Sequence, residues 1–97
     1  MSKAAATHSN CWAYVKSETG WSLPRARDLK PNTQMPIIGA IVIEHWANKS
    51  SNRHFSIIKQ ITDDGVIVKE DNFPFGKHSE TRIIPFDSPH LIGFYYE

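Results

Sequence analysis

The chain has 97 residues, 40% of them hydrophobic and 22% charged, with a net charge of +1. That length suits one globular domain with a modest core, and the near-neutral balance gives no general electrostatic reason to bind nucleic acid. Its single cysteine, Cys11, excludes an internal disulfide framework and a cysteine-rich zinc site.

The opening Met-Ser-Lys-Ala-Ala-Ala-Thr lacks the apolar stretch of a signal peptide, and no apolar run reaches membrane-spanning length. The chain therefore reads as soluble, without an export signal of its own or a segment that inserts in a membrane. Residues 1–8 read as a flexible lead-in and 9–97 as a single domain. Ser9 or Asn10 can cap a helix running to about Ser17, with Thr19-Gly20 as its stop. From Trp21 to Pro36 the composition turns to Pro, Arg and Asn, which reads as a surface or binding loop with one helical turn near Ala26–Leu29. Arg25, Arg27 and Lys30 make a local basic cluster in it, either a solvated loop or a binding element. Beyond it, β-branched and aromatic residues predict strands over 37–46, 54–62, 66–73, 81–86 and 91–96. The expected fold is α+β: an N-terminal helix packed on a mainly antiparallel sheet of about five strands. Repeats and low-complexity segments are absent from the sequence.

A thiol at the start of a helix faces unpaired backbone N–H groups and the positive end of the helix dipole, and both favour the thiolate. Such a nucleophile needs a base that can later return the proton, a task suited to imidazole. Of the five histidines, His8 lies in the lead-in, and His78 and His90 fall in expected loops, where solvent exposure is the simpler reading. His45 and His54 both fall near an end of the sheet. His54 is the better base, because Phe55-Ser56-Ile57-Ile58 behind it reads as a rigid buried strand. A Cys11-His45-His54 metal set matches no common zinc spacing, and the chemistry calls for neither a metal nor an organic cofactor.

The group that orients the imidazole is sought among Glu70, Asp71 and Asn72. A three-residue loop Asp63-Asp64-Gly65, with Gly65 left-handed and Thr62 opposite Val66, puts His54 on the face of Glu70 and Asn72. A two-residue Asp64-Gly65 loop flips the parity and puts Asp71 there. The turn sequence permits either.

Asn10-Cys11-Trp12-Ala13-Tyr14-Val15-Lys16, Ala26-Arg27-Asp28-Leu29, Pro36-Ile37-Ile38-Gly39-Ala40-Ile41-Val42, Arg53-His54-Phe55-Ser56-Ile57-Ile58 and Glu70-Asp71-Asn72 follow one another in an order that resembles the blocks of the CHAP family, the cysteine- and histidine-dependent amidohydrolases/peptidases. Leu91-Ile92-Gly93-Phe94-Tyr95 resembles that family's last strand. The resemblance implies a papain-like α+β fold with Cys11 as nucleophile, His54 as general base, and Glu70 as orienting group with Asn72 beside it, which favours the three-residue loop. Asn10, with the Cys11 N–H, would contribute to an oxyanion hole or serve only as the helix cap. Trp12, Tyr14 and Trp21 line the cleft or belong to the core. Arg53 stands where the family commonly has Gly, and a cation turned toward His54 would lower its basicity. The implied activity is cleavage of an amide bond in bacterial peptidoglycan through an acyl-enzyme, as in a phage-derived endolysin. Arg25 and Arg27 would then grip stem-peptide carboxylates. Action on the cell wall would require release by a route outside this chain. The alternatives are an amidase acting on another peptide-amide conjugate, and a catalytically degenerate module with a structural or binding role.

Overall fold

The computed structural model describes residues 5, 6, 8, 10–46, 49–73 and 76–97, with 46 and 49–52 as backbone only. Ser9, one of the two candidate caps, lies outside the described residues. Helix α1 spans Cys11–Thr19. Asn10 starts it from an extended backbone, its Oδ1 accepting the Ala13 N–H at 2.8 Å. Gly20 ends it in the left-handed region, φ 66°, with its N–H donating to the Lys16 carbonyl. Nine residues are too few for a helix to persist in water unaided. Packing holds it: Tyr14 and Val15 are buried against Leu29, Ile41, Ile43, Phe55 and Ile57.

Five strands follow: β1 (Ile41–Trp46), β2 (Lys49–Ile61), β3 (Gly65–Asp71), β4 (His78–Pro85) and β5 (Leu91–Tyr95). They form one sheet in the order β4-β3-β2-β1-β5, every neighbouring pair antiparallel. β1 begins four residues later than expected, because Ile37–Ala40 is a turn closed by the Ala40 N–H on the Ile37 carbonyl, which leaves Ile38 exposed. β4 begins three residues earlier, so His78 opens a strand and does not sit in a loop.

The expected α+β, papain-like fold is overturned. The described residues form a small β-rich fold, with one short helix and a 3-10 turn at Ala26–Asp28 beside a five-stranded sheet. The physical reason lies in a second core, made of Ala40, Val42, Ile58, Val66, Val68, Ile84 and Phe94. Every one of these residues belongs to a strand or immediately precedes one, so among the described residues this core contains no helical side chain. Strand periodicity finds the apolar positions, but not whether a helix or the sheet itself covers them.

The β2–β3 hairpin closes in neither expected register. Ile61 pairs with Val66, and the Thr62 N–H and hydroxyl both donate to the Gly65 carbonyl. Gly65 is not left-handed. It is needed because β4 runs close by, where a Cβ would collide with the Ile84 carbonyl. That pairing alone would bring Asp71 to the His54 face. A bulge between Ile58 and Gln60 takes up Lys59, after which Ile58 pairs with Val68 and Ile57 with Lys69. Even-numbered residues of the two strands are thereby brought back to one face, and Glu70 lies with His54.

Candidate active site

Along β2, Ile58 exchanges both backbone hydrogen bonds with the β1 side, donating to Ala40 and accepting from Gly39. Alternation then turns the backbone groups of Ile57 and Phe55 toward β3. The β2–β3 ladder, however, stops at Ile57–Lys69, while β2 stays on β1 to Arg53 and β3 stays on β4 to Asp71. The strands part there, and the Phe55 N–H stands near enough to the Cys11 sulfur to help lower its pKa. The parting explains how a cysteine on a helix packed over one face meets a histidine from the other.

Cys11 and the His54 side chain stand close enough for each to shift the other's pKa. The His54 Nε2 lies 2.8 Å from Glu70 Oε1, with the two side chains 1% and 0% exposed. Burial pushes the Cys11 thiol up, but the hydrogen bond and charge of His54, then the Phe55 and Trp12 N–H groups, outweigh it and bring the thiol below its ordinary value. Burial pushes His54 down, yet its bonds to Cys11 and Glu70 and their negative charges leave it raised. Glu70 is likewise pushed up by burial and brought below its usual range by His54 and Arg82. All three shifts favour a thiolate beside an imidazolium on a carboxylate.

Two further residues complete the cluster, and the sequence reading missed both. Arg82 binds Glu70 through Nε (2.9 Å to Oε2) and Nη2 (2.8 Å to Oε1), and reaches Glu44 through Nη2 at 2.6 Å. Its guanidinium stacks on Phe73, 4.1 Å from the ring centroid, and the His54 ring also lies against Phe73, with centroids 5.0 Å apart. Burial lowers the Arg82 pKa, but the two carboxylates more than compensate, so the guanidinium stays charged. Glu44 was detectable as a lone carboxylate at the end of the run Ile41-Val42-Ile43, where a buried strand must give it a partner. Arg82 carried no such mark, since Thr81-Arg82-Ile83-Ile84 reads equally well with either face inward.

The remaining candidates lie elsewhere. Asn72 does not join the triad as expected: at φ 65° it shapes the β3–β4 turn, its Oδ1 accepting the Gly76 N–H and its Nδ2 donating to the His8 carbonyl. The Asn10 carbonyl oxygen is taken by the helix cap. Trp12 packs on Phe55, centroids 4.7 Å apart, at the rim of the first core. Arg25 is exposed and paired with Asp28 at 2.9 Å, and Arg27 and Lys30 are exposed beside it. Arg53 turns away from His54 and donates to the Leu29 carbonyl at 2.9 Å. His8 and His78, read as solvent-exposed, both engage the buried Asp71. Among the described residues no group of three or more His, Cys, Asp or Glu side chains has the geometry to hold a metal ion.

Comparison with known proteins finds no matching family model, no matching curated protein and no matching solved structure. Any functional reading of this cluster therefore stands on its geometry and on the sequence blocks around it.

Proposed function

We propose that this chain is a cysteine amidase or endopeptidase that cleaves an amide bond of bacterial peptidoglycan through an acyl-enzyme. The observation that carries the reaction type is Cys11 standing beside a buried His54 whose Nε2 is hydrogen-bonded to Glu70, with Glu70 held in turn by Arg82 and Arg82 by Glu44. The substrate class rests on the resemblance of the sequence blocks to the CHAP family and on nothing in the fold.

The Cys11 thiolate adds to the amide carbonyl carbon, and the oxyanion that forms is met by backbone N–H groups at the start of α1, with the Asn10 side-chain amide beside them. The C–N bond breaks as His54 delivers its proton to the departing amine, leaving a thioester on Cys11. Water then attacks the thioester carbonyl while neutral His54 takes its proton. Collapse of that second intermediate releases the carboxylic acid and restores the thiolate–imidazolium pair. Glu70 holds the ring in the required orientation throughout, and Arg82 keeps Glu70 ionised and in place. The direction of Arg53, away from His54, favours an active enzyme over a degenerate module.

The test is incubation of the full chain with purified cell walls, followed by mass spectrometry for new amine and carboxyl termini. One bond type should be opened by the wild type and left intact by Cys11→Ala. Walls unchanged by wild type, together with turnover of a different amide, would leave the cysteine chemistry standing and reject the substrate.

A further inference from the structure

We propose that Asp71 is a positioning residue for the nucleophile, holding the backbone just ahead of α1 and so fixing where the Cys11 thiol stands; the inference rests on the cysteine-hydrolase reading above. Glu70 and Asp71 are neighbours on β3 and point to opposite faces. Glu70 places the histidine of the pair, and Asp71 reaches the segment that carries the cysteine.

The Asp71 side chain is fully buried. Its Oδ2 accepts the His8 backbone N–H at 2.8 Å, and its Oδ1 lies 2.8 Å from His78 Nδ1. The same stretch is tied down by the Asn72 amide on the His8 carbonyl, by the Ala6 N–H on the Gly76 carbonyl, and by a bridge from Ala5 to Lys77. Cys11 follows three residues after His8. Tyr14, one turn along α1 and buried, lies with its ring centroid 5.7 Å from that of His8 and 5.4 Å from that of His78. One carboxylate thus fastens the lead-in and, through two imidazoles, the first turn of the helix.

A buried carboxylate must be given donors, and here one of them is main chain, which cannot swing away as a side chain can. His78 is steadied in turn by Glu80 at 2.9 Å, and Glu80 by Lys59 at 3.3 Å. Small displacements of a nucleophile are expensive, since a shift of about 1 Å can cost on the order of 100-fold in rate.

The test compares the full chain with Asp71→Ala, Asp71→Asn, His8→Pro, His8→Ala and His54→Ala. The readouts are kcat and KM on cell-wall fragments, the pH dependence of Cys11 alkylation by iodoacetamide, and melting temperature. Asp71→Ala and His8→Pro should lower kcat roughly tenfold, the scale of one lost hydrogen bond to a charged group, with little change in KM. Both should also move the alkylation profile to higher pH. Asp71→Asn keeps an acceptor for the His8 N–H and should recover most of the rate. His8→Ala keeps the N–H and should lose less than His8→Pro. If Asp71→Ala does not fold, the two His8 variants decide, because residue 8 belongs to neither core. A His8→Pro chain equal to wild type, or a folded Asp71→Ala chain equal to it in both kcat and profile, overturns the proposal. With His54→Ala shifting the profile as required, silence of the Asp71 and His8 variants rejects this inference alone. A wild-type Cys11 that titrates as an ordinary thiol, unmoved by His54→Ala, rejects the hydrolase reading and this inference with it.

Discussion

β3 carries two histidine–carboxylate pairs back to back. On one face His54 meets Glu70 at 2.8 Å, and on the other His78 meets Asp71 at the same distance. Both imidazoles are raised in pKa although burial pulls them down, His54 by the Cys11 thiol and then Glu70, His78 by Glu80 and Asp71. The surroundings differ. His54 is 1% exposed, with the Cys11 thiol on its other side and an arginine behind its carboxylate, whereas His78 is 16% exposed, with a second carboxylate, Glu80, on its outer nitrogen. An imidazole with an acid on each side has no group to activate, and the one between an acid and a thiol does. Pairing of histidine with carboxylate is thus common to both faces, and the third partner separates chemistry from scaffolding.

The largest test of that contrast is removal of the reacting groups. Cys11→Ala and His54→Ala should each lower turnover by at least about 10²-fold, and the double variant little further, because the two act as a unit. His78→Ala should fall well short of either. Comparable losses at His54 and His78, measured as kcat per folded molecule, would erase the distinction between the faces.

Next in size come the groups behind the rings. Glu70→Gln should reduce turnover about 10- to 100-fold by loosening the imidazole. Arg82→Lys should follow it, since an ammonium cannot span Glu70 and Glu44 as a guanidinium fork does. Asp71→Asn should do less than either. Asn72→Ala should leave turnover per folded molecule unchanged and destabilise the chain by about 1–2 kcal/mol, the cost of a left-handed alanine. Steady-state kinetics beside denaturant unfolding separates these outcomes, and a larger kinetic loss at Asp71→Asn than at Glu70→Gln would reverse the assignment of the faces.

The pH dependence sharpens the contrast further. Cys11 alkylation in the wild type should persist below the ordinary thiol range. In His54→Ala the lowering influence is gone and burial remains, so the profile should move to higher pH. For His78 the sign concerns stability. Its folded pKa is raised, so its contribution is fully present below the unfolded value and is lost as pH rises through the folded one. The gap in melting temperature between wild type and His78→Ala should therefore be widest at mildly acidic pH and close toward alkaline pH. A gap that stays constant would mean that the ring acts through packing alone.

The smallest effect is expected at the basic loop. Arg25→Ala with Arg27→Ala should raise KM more than it lowers kcat, and added salt should shrink the difference, exposed charges being screened over about 10 Å at 0.1 M. Because Arg25 already spends its guanidinium on Asp28, only a modest change is anticipated. Unchanged kinetics at low salt would remove the loop from the binding surface.

The sequence made Cys11 and His54 visible, because a capped helix start and a buried strand are local patterns. Hairpin parity left Glu70 and Asp71 both open, and the resemblance to the CHAP family favoured Glu70 through a three-residue loop; the observed loop differs from that one by one residue and the bulge at Lys59 by one more, so the two departures cancel. Bulges come from twist and cross-strand packing, which no window of residues displays. Asp71 was weighed only as a partner of His54, and its ties to His78 and the lead-in were not legible for a related reason. A bulge between Val68 and Glu70 in the β3–β4 pairing sets His78 opposite it, and the lead-in that covers it has no periodicity to read. The second core, built from strand residues alone, was missed because alternation identifies which residues are inside without naming what packs on them.

The bulge at Lys59 also constrains how this chain can change over evolutionary time. Deleting one residue from the hairpin would turn the far half of β3 over, handing His54 an aspartate one methylene shorter and sending Glu70 to the lead-in. Both acids would then have the wrong reach at once. Insertions and deletions in this hairpin should be inherited in pairs, so that its length drifts by twos while the order of the two acids stays put.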